Sequence, residues 1–234
     1  MKVTRKIVSS LNSHKIDSSY VKAHKKHRED HQNEYLLIDE IVSKFRATGG
    51  LKFEHQAYKL WELSKLLQAH SPTSILEFGS GSSSLVFSDY ARKNQSTFLS
   101  IDEDPKWASN TAKLINIDKN DRIEVRQAEK IIYPNRTPVE IKYEFNTQEN
   151  FDFVLIDGPS LSAVNTKIKE AVNSNFIDLK ELPKVIVVDV RKATAEYIAQ
   201  RYSDVYNCTL SDIFNRKTVE AGYQYFSVFE KKIA

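Results

Sequence analysis

The stretch ILEFGSGSSSLVF, residues Ile75 to Phe87, decides the fold of this chain. It predicts a buried strand over Ile75–Phe78, a turn at Gly79-Ser80-Gly81, and then a helix whose first turn is rich in serine. A strand that ends at Gly-x-Gly and continues as a helix brings free backbone N–H groups and a positive helix end into one crevice. The two glycines let the backbone approach a ligand with no Cβ in between. The stretch therefore predicts a cofactor pocket in a doubly wound α/β sheet.

Three further residues narrow the kind of cofactor. Glu77 stands two positions before the first glycine, and Ser84 occupies the position of the third glycine in the pattern G-x-G-x-x-G. A second strand is predicted at Thr97–Asp102, so that Asp102 lies about 20 residues past the glycines, where a carboxylate can accept both ribose hydroxyls of an adenosine-type cofactor. The pattern therefore fits an adenosine-type cofactor. It fits the dinucleotide-binding fingerprint less well, because Ser84 replaces the third glycine of that fingerprint.

The rest of the chain alternates helices and strands, as a largely parallel α/β sheet requires. The predicted helices are Phe53–Gln68, Ser82–Lys93, Asp104–Asn116, Ser162–Asn175 and Ala193–Arg201, and the further predicted strands are Arg122–Arg126, Phe153–Ile156, Val185–Val190, Asp204–Leu210 and Tyr223–Phe229. The continuous apolar run FVLI is typical of a central strand covered on both faces. The long polar connection from Lys130 to Asn150 includes an alternating segment, Val139–Phe145, that fits an extra strand or hairpin.

Two acidic residues follow predicted central strands. Asp157-Gly158-Pro159 comes directly after FVLI, and Asp189 is near the end of VIVVDV. Ligands of open α/β sheets bind at the carboxyl ends of the strands, so Asp157 is the best-placed carboxylate for catalysis. A plain strand-end or cofactor-contacting role for Asp157 is nearly as well supported, and for Asp189 a helix-capping role is favoured.

The pieces LEFGSGSS, SIDEDPKW and FDFVLIDGPS together resemble the class I S-adenosylmethionine-dependent methyltransferases, over Phe53 to Ala234. Among these, the O-methyltransferases of small molecules and glycans are the most similar. The resemblance implies a Rossmann-like sheet of seven strands, the last antiparallel. The cofactor contacts that it implies are Glu77, Gly79, Ser80, Gly81, Ser83, Asp102, Glu103, Gln127, Ala128 and Asp157. In this set Glu77 would hold the amino group, Asp102 the ribose, and Glu103 and Ala128 would border the adenine. Gln127 stands where an acidic residue is common.

The resemblance also implies the type of reaction, which is methyl transfer to an acceptor group. The cofactor supplies a reactive methyl group, and an alcohol acceptor must lose its proton during the attack, which a base or a metal can assist. Asp157 and Asp189 are the catalytic candidates. Some O-methyltransferases of this fold bind a divalent ion through an Asp after strand four and an Asp-Asn pair after strand five. Here Val190 replaces the Asn, so Mg²⁺ is an alternative that is not favoured. The Asn-Pro-Pro-Tyr type of motif that base N-methyltransferases carry after strand four is absent.

Residues 1–50 are interpreted as a helical extension to a methyltransferase domain at residues 51–234. A basic cluster, Lys22 to Arg28, precedes an amphipathic helix at Tyr35–Phe45 that ends at Gly49-Gly50. The apolar stripe of that helix covers either the main domain or a second copy of the chain, which would make a homo-oligomer. His24, His27 and His31 share one helical face, which we interpret as a solvated basic face in preference to a metal site.

The amino-acid composition argues against several other classes of protein. The chain has 234 residues, of which 41% are hydrophobic and 28% charged, as in an ordinary soluble protein. Its net charge of +3 is too small to indicate a nucleic-acid partner. The single cysteine, Cys208, excludes an internal disulfide and fits a reducing compartment. Without a secretory signal or a long apolar run, a cytoplasmic location with no transmembrane segment is expected.

The leading prediction is O-methylation of a small molecule or a glycan. The tyrosines Tyr133 and Tyr143 of the polar loop fit stacking on a sugar, or simply packing of the loop. His55, in the first turn of the helix before the glycine turn, is a second candidate base, although a surface role is favoured for it. A nicotinamide-dependent oxidoreductase and a non-catalytic binding or scaffold protein are the alternatives that the sequence leaves open.

Overall fold

The computed structural model of the chain describes residues 19–47, 56–115, 122–161, 168, 170–215 and 219–233. The helices are α1 (19–30), α2 (Leu36–Ala47), α3 (Gln56–His70), α4 (Ser82–Asn94), α5 (Pro105–Leu114) and α6 (Lys192–Arg201). The strands are β1 (Ser74–Phe78), β2 (Thr97–Asp102), β3 (Ile123–Gln127), β4 (Lys130–Tyr133), β5 (Glu140–Tyr143), β6 (Phe153–Ile156), β7 (Val172–Asn173), β8 (Val185–Val188), β9 (Tyr206–Thr209) and β10 (Ser227–Lys231). Short 3₁₀ helices lie at Gln32–Tyr35, Asn175–Asp178 and Asp212–Asn215. Among these helices, none is both long enough and apolar enough to cross a bilayer.

Seven of the strands form the main sheet, in the order β3-β2-β1-β6-β8-β10-β9. Neighbouring strands are parallel except that β10 runs antiparallel to both β8 and β9. The predicted seven-stranded sheet with an antiparallel last strand is thus confirmed. The chain adds β2 and β3 on one side of β1 and then crosses to β6 on the other, so the strand order reverses between β1 and β6. In such sheets the ligand crevice lies at this reversal.

The central strands alternate their side chains between two apolar layers. Ile75 of β1 packs with α2, α3 and α4 on one face, and Leu76 packs on the opposite face with Phe176 and the α6 residue Ile198. All four residues of β6 and all four of β8 are buried. This double coverage explains the uninterrupted apolar runs FVLI and VIVV and holds their carboxyl ends in fixed positions.

Strands β4, β5 and β7 form a second, three-stranded sheet. In the chain, β4 and β5 lie between β3 and β6, and β7 lies between β6 and β8. Strands β4 and β5 form an antiparallel hairpin, which confirms the extra strand at Val139–Phe145. The predicted helix Ser162–Asn175 is wrong at its end, because Val172 and Asn173 pair in parallel with β5 and the Val172 N–H donates to the Val139 carbonyl at 2.9 Å. Residues 162–167 and 169 lie outside the described residues.

The apolar stripe of α2 packs within this chain. Ile38, Ile41, Val42 and Phe45 are buried in one cluster with residues of α3 and α4. The stripe thus covers the main domain, which was one of its two expected roles. Residues 48–55, which include Gly49-Gly50 and His55, lie outside the described residues, and the domain boundary at residue 50 stays a prediction.

The histidines of α1 pack against aromatic rings. His27 is 4% exposed, its ring lies 4.2 Å from that of Trp61, and its Nδ1 lies 2.9 Å from the Tyr35 hydroxyl. His24 Nε2 lies 2.7 Å from the Tyr223 hydroxyl. Burial lowers the pKa of His27, which favours its neutral form. The predicted solvated face is therefore wrong for His27, because the aromatic side chains of α3 offer it a nonpolar docking surface.

Candidate functional site at the carboxyl edge of the sheet

The parallel strands bring the predicted site residues to one edge of the sheet. β1, β2, β3, β6 and β8 all end there, because each pairs in parallel with its neighbour. The residues that follow or end these strands are Gly79-Ser80-Gly81, Asp102-Glu103, Gln127-Ala128, Asp157-Gly158-Pro159 and Asp189. Of these, Gln127 is exposed whereas Ala128 is buried. The sequence-based candidates thus lie along one edge of the sheet, at the reversal of strand order where such sheets generally bind their ligands in a crevice.

The glycine turn closes tightly on the end of β6. Gly79 has a φ of +101°, and a Cβ there would lie 2.8 Å from the backbone carbon of Asp157 and 2.8 Å from the nitrogen of Gly158. Any larger residue would be strained and would separate the two strand ends. At Gly81, by contrast, a Cβ would meet nothing within 4 Å. The turn thus combines a close backbone contact on one side with open space on the other.

Glu77 lies beneath the turn and is fully buried. Its carboxylate accepts hydrogen bonds from the hydroxyls of Ser83, of Ser84 at 2.5 Å and of Ser100 at 2.6 Å. Burial outweighs these bonds and raises the pKa of Glu77 to about 7. Ser84 also accepts from the Gly81 N–H at 2.9 Å, so the serine at the third-glycine position fixes the turn. Direct contact of Glu77 with a cofactor stays a prediction.

Asp102 joins the second strand to the same turn. Its carboxylate accepts from the Ser80 N–H at 2.8 Å and from the Asp104 N–H at 2.9 Å. The side chain is largely buried, and burial raises its pKa to about 6. The Trp107 indole donates to the Ser80 carbonyl, which holds the turn from the side of α5. Asp102 therefore has a fixed orientation beside the crevice.

Glu103, the next residue, connects β2 to the loop after β6. Its carboxylate accepts from the Tyr143 hydroxyl at 2.8 Å, from the Ser160 N–H at 2.9 Å and from Lys130 Nζ at 3.4 Å. Tyr143 is 2% exposed and stacks on Phe78, so it packs the loop. These contacts connect the end of β2 to β4, to β5 and to the loop after β6.

On the other side of the crevice, Lys59 of α3 lies between two carboxylates. Its ammonium donates to Asp157 Oδ2 at 3.0 Å and to Asp189 Oδ2. The Lys59 and Asp189 side chains are 12% and 7% exposed, and that of Asp157 is 33% exposed. Burial, followed by the charge of Asp189, raises the pKa of Asp157. Burial alone would lower the pKa of Lys59, but the charges of Asp157 and Asp189 outweigh it and hold that pKa well above its ordinary value.

Arg191 completes this side of the site. Its guanidinium donates to the carbonyls of Asp157 and of Pro159, the latter at 2.9 Å. Val190, which directs the chain from Asp189 to Arg191, has a φ of +35°, an unfavourable conformation for a β-branched residue. Asp189 Oδ1 and Arg191 Nε are buried without a hydrogen-bond partner. Backbone strain and unpaired polar atoms of this kind concentrate at functional sites.

Sequence reasoning did not identify Lys59 or Arg191 as site residues. A signal for Lys59 was present, since Lys59, Leu63 and Leu67 follow one another at intervals of four along α3 and the two leucines are buried. A lysine on the buried stripe of a helix needs a partner of opposite charge. Arg191 gave no comparable signal.

The described residues give little support to a metal centre. Within them, no group of three or more His, Cys, Asp and Glu side chains is arranged to hold a metal ion. The two carboxylates that match the metal ligands of some O-methyltransferases, Asp157 and Asp189, already share the ammonium of Lys59.

No protein-family model matches the sequence, and no curated protein matches it at a significant level. Solved structures match its fold. A proposed caffeoyl-CoA O-methyltransferase from Staphylococcus aureus gives a TM-score of 0.56 at 11% identity, over 89% of this chain and 98% of that chain. The S-adenosylhomocysteine-bound methyltransferase PaMTH1 from Podospora anserina gives 0.51 at 15% identity, over 83% and 88%. The O-methyltransferase TomG from Streptomyces achromogenes, in complex with S-adenosylmethionine, gives 0.50 at 16% identity, over 84% and 89%. The chain therefore has the Rossmann-like fold of the class I S-adenosylmethionine-dependent methyltransferases.

Proposed function

We propose that this protein is an S-adenosylmethionine-dependent methyltransferase that acts on a hydroxyl group of a small molecule or a glycan. The observation that carries this function is the position of Asp102. At the end of β2, its carboxylate is oriented by the Ser80 N–H of the glycine turn, next to the reversal of strand order between β1 and β6. A carboxylate at this point can accept the ribose hydroxyls of an adenosine cofactor.

The remaining cofactor contacts follow from the same placement. Gly79, Ser80 and Gly81 would border the methionine end of the cofactor, with Ser83 in the first turn of α4. Glu103, Gln127 and Ala128 would border the adenine. Asp157 lies across the crevice from Asp102, where its negative charge would favour a positively charged sulfonium. Glu77 would act by fixing the turn through its serine partners, or by contacting the amino group directly.

The transfer itself requires a proton acceptor for the hydroxyl. When bound, S-adenosylmethionine would supply the methyl group and leave as a neutral thioether, and a carboxylate of this chain would take up the proton that the acceptor hydroxyl loses. Asp157 suits this step because its side chain is one-third exposed and its pKa is raised by burial and by Asp189. Asp189 would position Asp157 through Lys59. Two of the structures compared above are named O-methyltransferases, which supports an oxygen acceptor.

Calorimetric titration tests the cofactor assignment without knowledge of the acceptor. The purified chain is titrated in parallel with S-adenosylhomocysteine and with NADH. Micromolar binding of S-adenosylhomocysteine alone is the expected result. Binding of NADH alone would identify an oxidoreductase pocket, and binding of neither would favour the scaffold alternative.

A further inference from the structure

The carboxyl edge near β6 and β8 holds a balanced set of charges. Asp157 and Asp189 contribute two negative charges, and Lys59 and Arg191 contribute two positive charges in their usual ionised forms. Lys59 is nearly buried, and its Nζ contacts one oxygen of each carboxylate. A buried ammonium is stable only when opposite charges compensate for its lost hydration, so the two carboxylates and the lysine form one unit.

A divalent cation does not fit this unit. The position between the two carboxylates, which such an ion would need, is occupied by the Lys59 ammonium. Adding a divalent ion would leave two net positive charges in a largely buried cluster, and Val190 adds no oxygen ligand beside Asp189. The residues present therefore disagree with the metal site found in some O-methyltransferases of this fold.

We infer that Lys59 is the built-in cation of this site and that methyl transfer here is independent of a divalent metal. Lys59 is a positioning residue. Its ammonium holds the Asp157 carboxylate in place and reduces the electrostatic repulsion between Asp157 and Asp189. Asp189 Oδ1 has no hydrogen-bond partner and Val190 has a strained backbone, and both features destabilise the fold. They accompany the placement of Asp189 beside Lys59 and Asp157.

The role of Lys59 in methyl transfer rests on the proposed function. The absence of a metal site can be tested separately, because cation binding is measured without cofactor or acceptor. The wild-type chain is titrated with Mn²⁺ while electron paramagnetic resonance records the free ion. No specific binding by the wild type is the expected result. Mn²⁺ binding that Asp157→Asn abolishes would overturn the inference, and loss of S-adenosylhomocysteine binding alone would count only against the proposed function.

A variant makes the test more specific. Lys59→Met removes the ammonium and leaves the two carboxylates facing one another, so we expect Mn²⁺ to bind at least about tenfold more tightly than to the wild type. The double variant Lys59→Met/Asp189→Asn should lose the gained affinity. Lys65→Met, which removes an exposed lysine from the same helix, is the matched control and should gain nothing. Equal Mn²⁺ binding by the Lys59 and Lys65 variants would contradict the inference.

Lys59→Arg keeps the charge and serves if the methionine variant does not fold. It should remain free of Mn²⁺, and its S-adenosylhomocysteine affinity should be the same with and without a chelator. A chelator that lowers the cofactor affinity or the thermal stability of this variant or of the wild type would show a metal requirement and overturn the inference.

Discussion

The two halves of the crevice stabilise their carboxylates by different means. In the half formed by β1 and β2, Glu77 accepts from three serine hydroxyls and Asp102 accepts from two backbone N–H groups. In the half formed by β6 and β8, Asp157 and Asp189 share the ammonium of Lys59. One half thus uses neutral donors, and the other uses a full positive charge.

This difference assigns the two halves different tasks. Burial raises the pKa of both Glu77 and Asp157, but Glu77 is fully buried among serine hydroxyls and serves to shape the turn. The charged half holds Asp157 beside the crevice as a partly exposed group that is able to exchange a proton. We therefore expect substitutions in the charged half to change stability most and those among the neutral donors to change it least.

Replacing Lys59 by Met should have the largest effect. The substitution removes the ammonium that Asp157 and Asp189 share, and breaking a buried ion pair in this way costs about 3–5 kcal/mol. Urea unfolding at neutral pH measures the loss. Lys65→Met, which removes the exposed partner of Glu34, should cost no more than about 1 kcal/mol. Equal losses for the two variants would show that Lys59 is not a central part of the site.

The two halves also differ in how far the sequence predicts them. The first half lies within 26 consecutive residues, from Glu77 to Asp102, which include the glycine turn and the serines. Their strand–turn–helix–strand order alone brings these side chains close together. Lys59, Asp157 and Arg191 are brought together from α3 and from loops after β6 and β8, more than 30 residues apart at each step. Only the packing of α3 on the sheet places Lys59 there, so the sequence predicted the two acids and not their cation.

Replacing Glu77 by Gln should change the pH dependence of stability. The folded pKa of Glu77 is about 7, against an ordinary value of 4.5, so the folded state binds the proton more tightly. The contribution of Glu77 to stability is complete below pH 4.5 and is lost as the pH rises through about 7. Glutamine does not titrate, so wild-type stability relative to the variant should fall by roughly 3 kcal/mol across that range. Urea unfolding between these pH values measures the difference.

The control for this experiment is Glu124→Gln, which alters an exposed carboxylate on β3. Its stability should follow the wild-type pH profile. A Glu77→Gln profile that is also parallel to the wild type would contradict the raised pKa.

Replacing Asp102 by Asn should weaken S-adenosylhomocysteine binding. The amide keeps the shape of the side chain but loses the charge that accepts the ribose hydroxyls, and a hydrogen bond to a charged group contributes about 1.5–3 kcal/mol. The expected loss of affinity is about 10- to 100-fold by calorimetry. Glu124→Gln again provides the comparison and should bind as the wild type does. Unchanged affinity of the Asp102 variant would remove this residue from the cofactor pocket.

Replacing Ser100 by Ala should have the smallest effect. The change removes a hydroxyl that donates to Glu77 and contacts the Ser80 hydroxyl at 2.7 Å, at a cost of about 1 kcal/mol. Because that hydroxyl lowers the pKa of Glu77, the pH-dependent loss of stability should continue to a higher pH in the variant than in the wild type. Ser96→Ala removes a similar bond, to the Pro72 carbonyl, at the opposite end of β2. It should cost as much stability and leave the pH profile unchanged; a shift in both variants would argue against a specific Ser100–Glu77 effect.

A crystal structure grown with S-adenosylhomocysteine and Mn²⁺, with anomalous data at the manganese edge, tests both halves of the crevice together. We expect the ribose of the ligand on Asp102, its sulfur on the side of Asp157, and the Lys59 ammonium between Asp157 and Asp189 with no manganese peak there. A ligand bound away from the glycine turn would contradict the cofactor pocket. A manganese peak between the two carboxylates, with Lys59 displaced, would contradict the built-in cation.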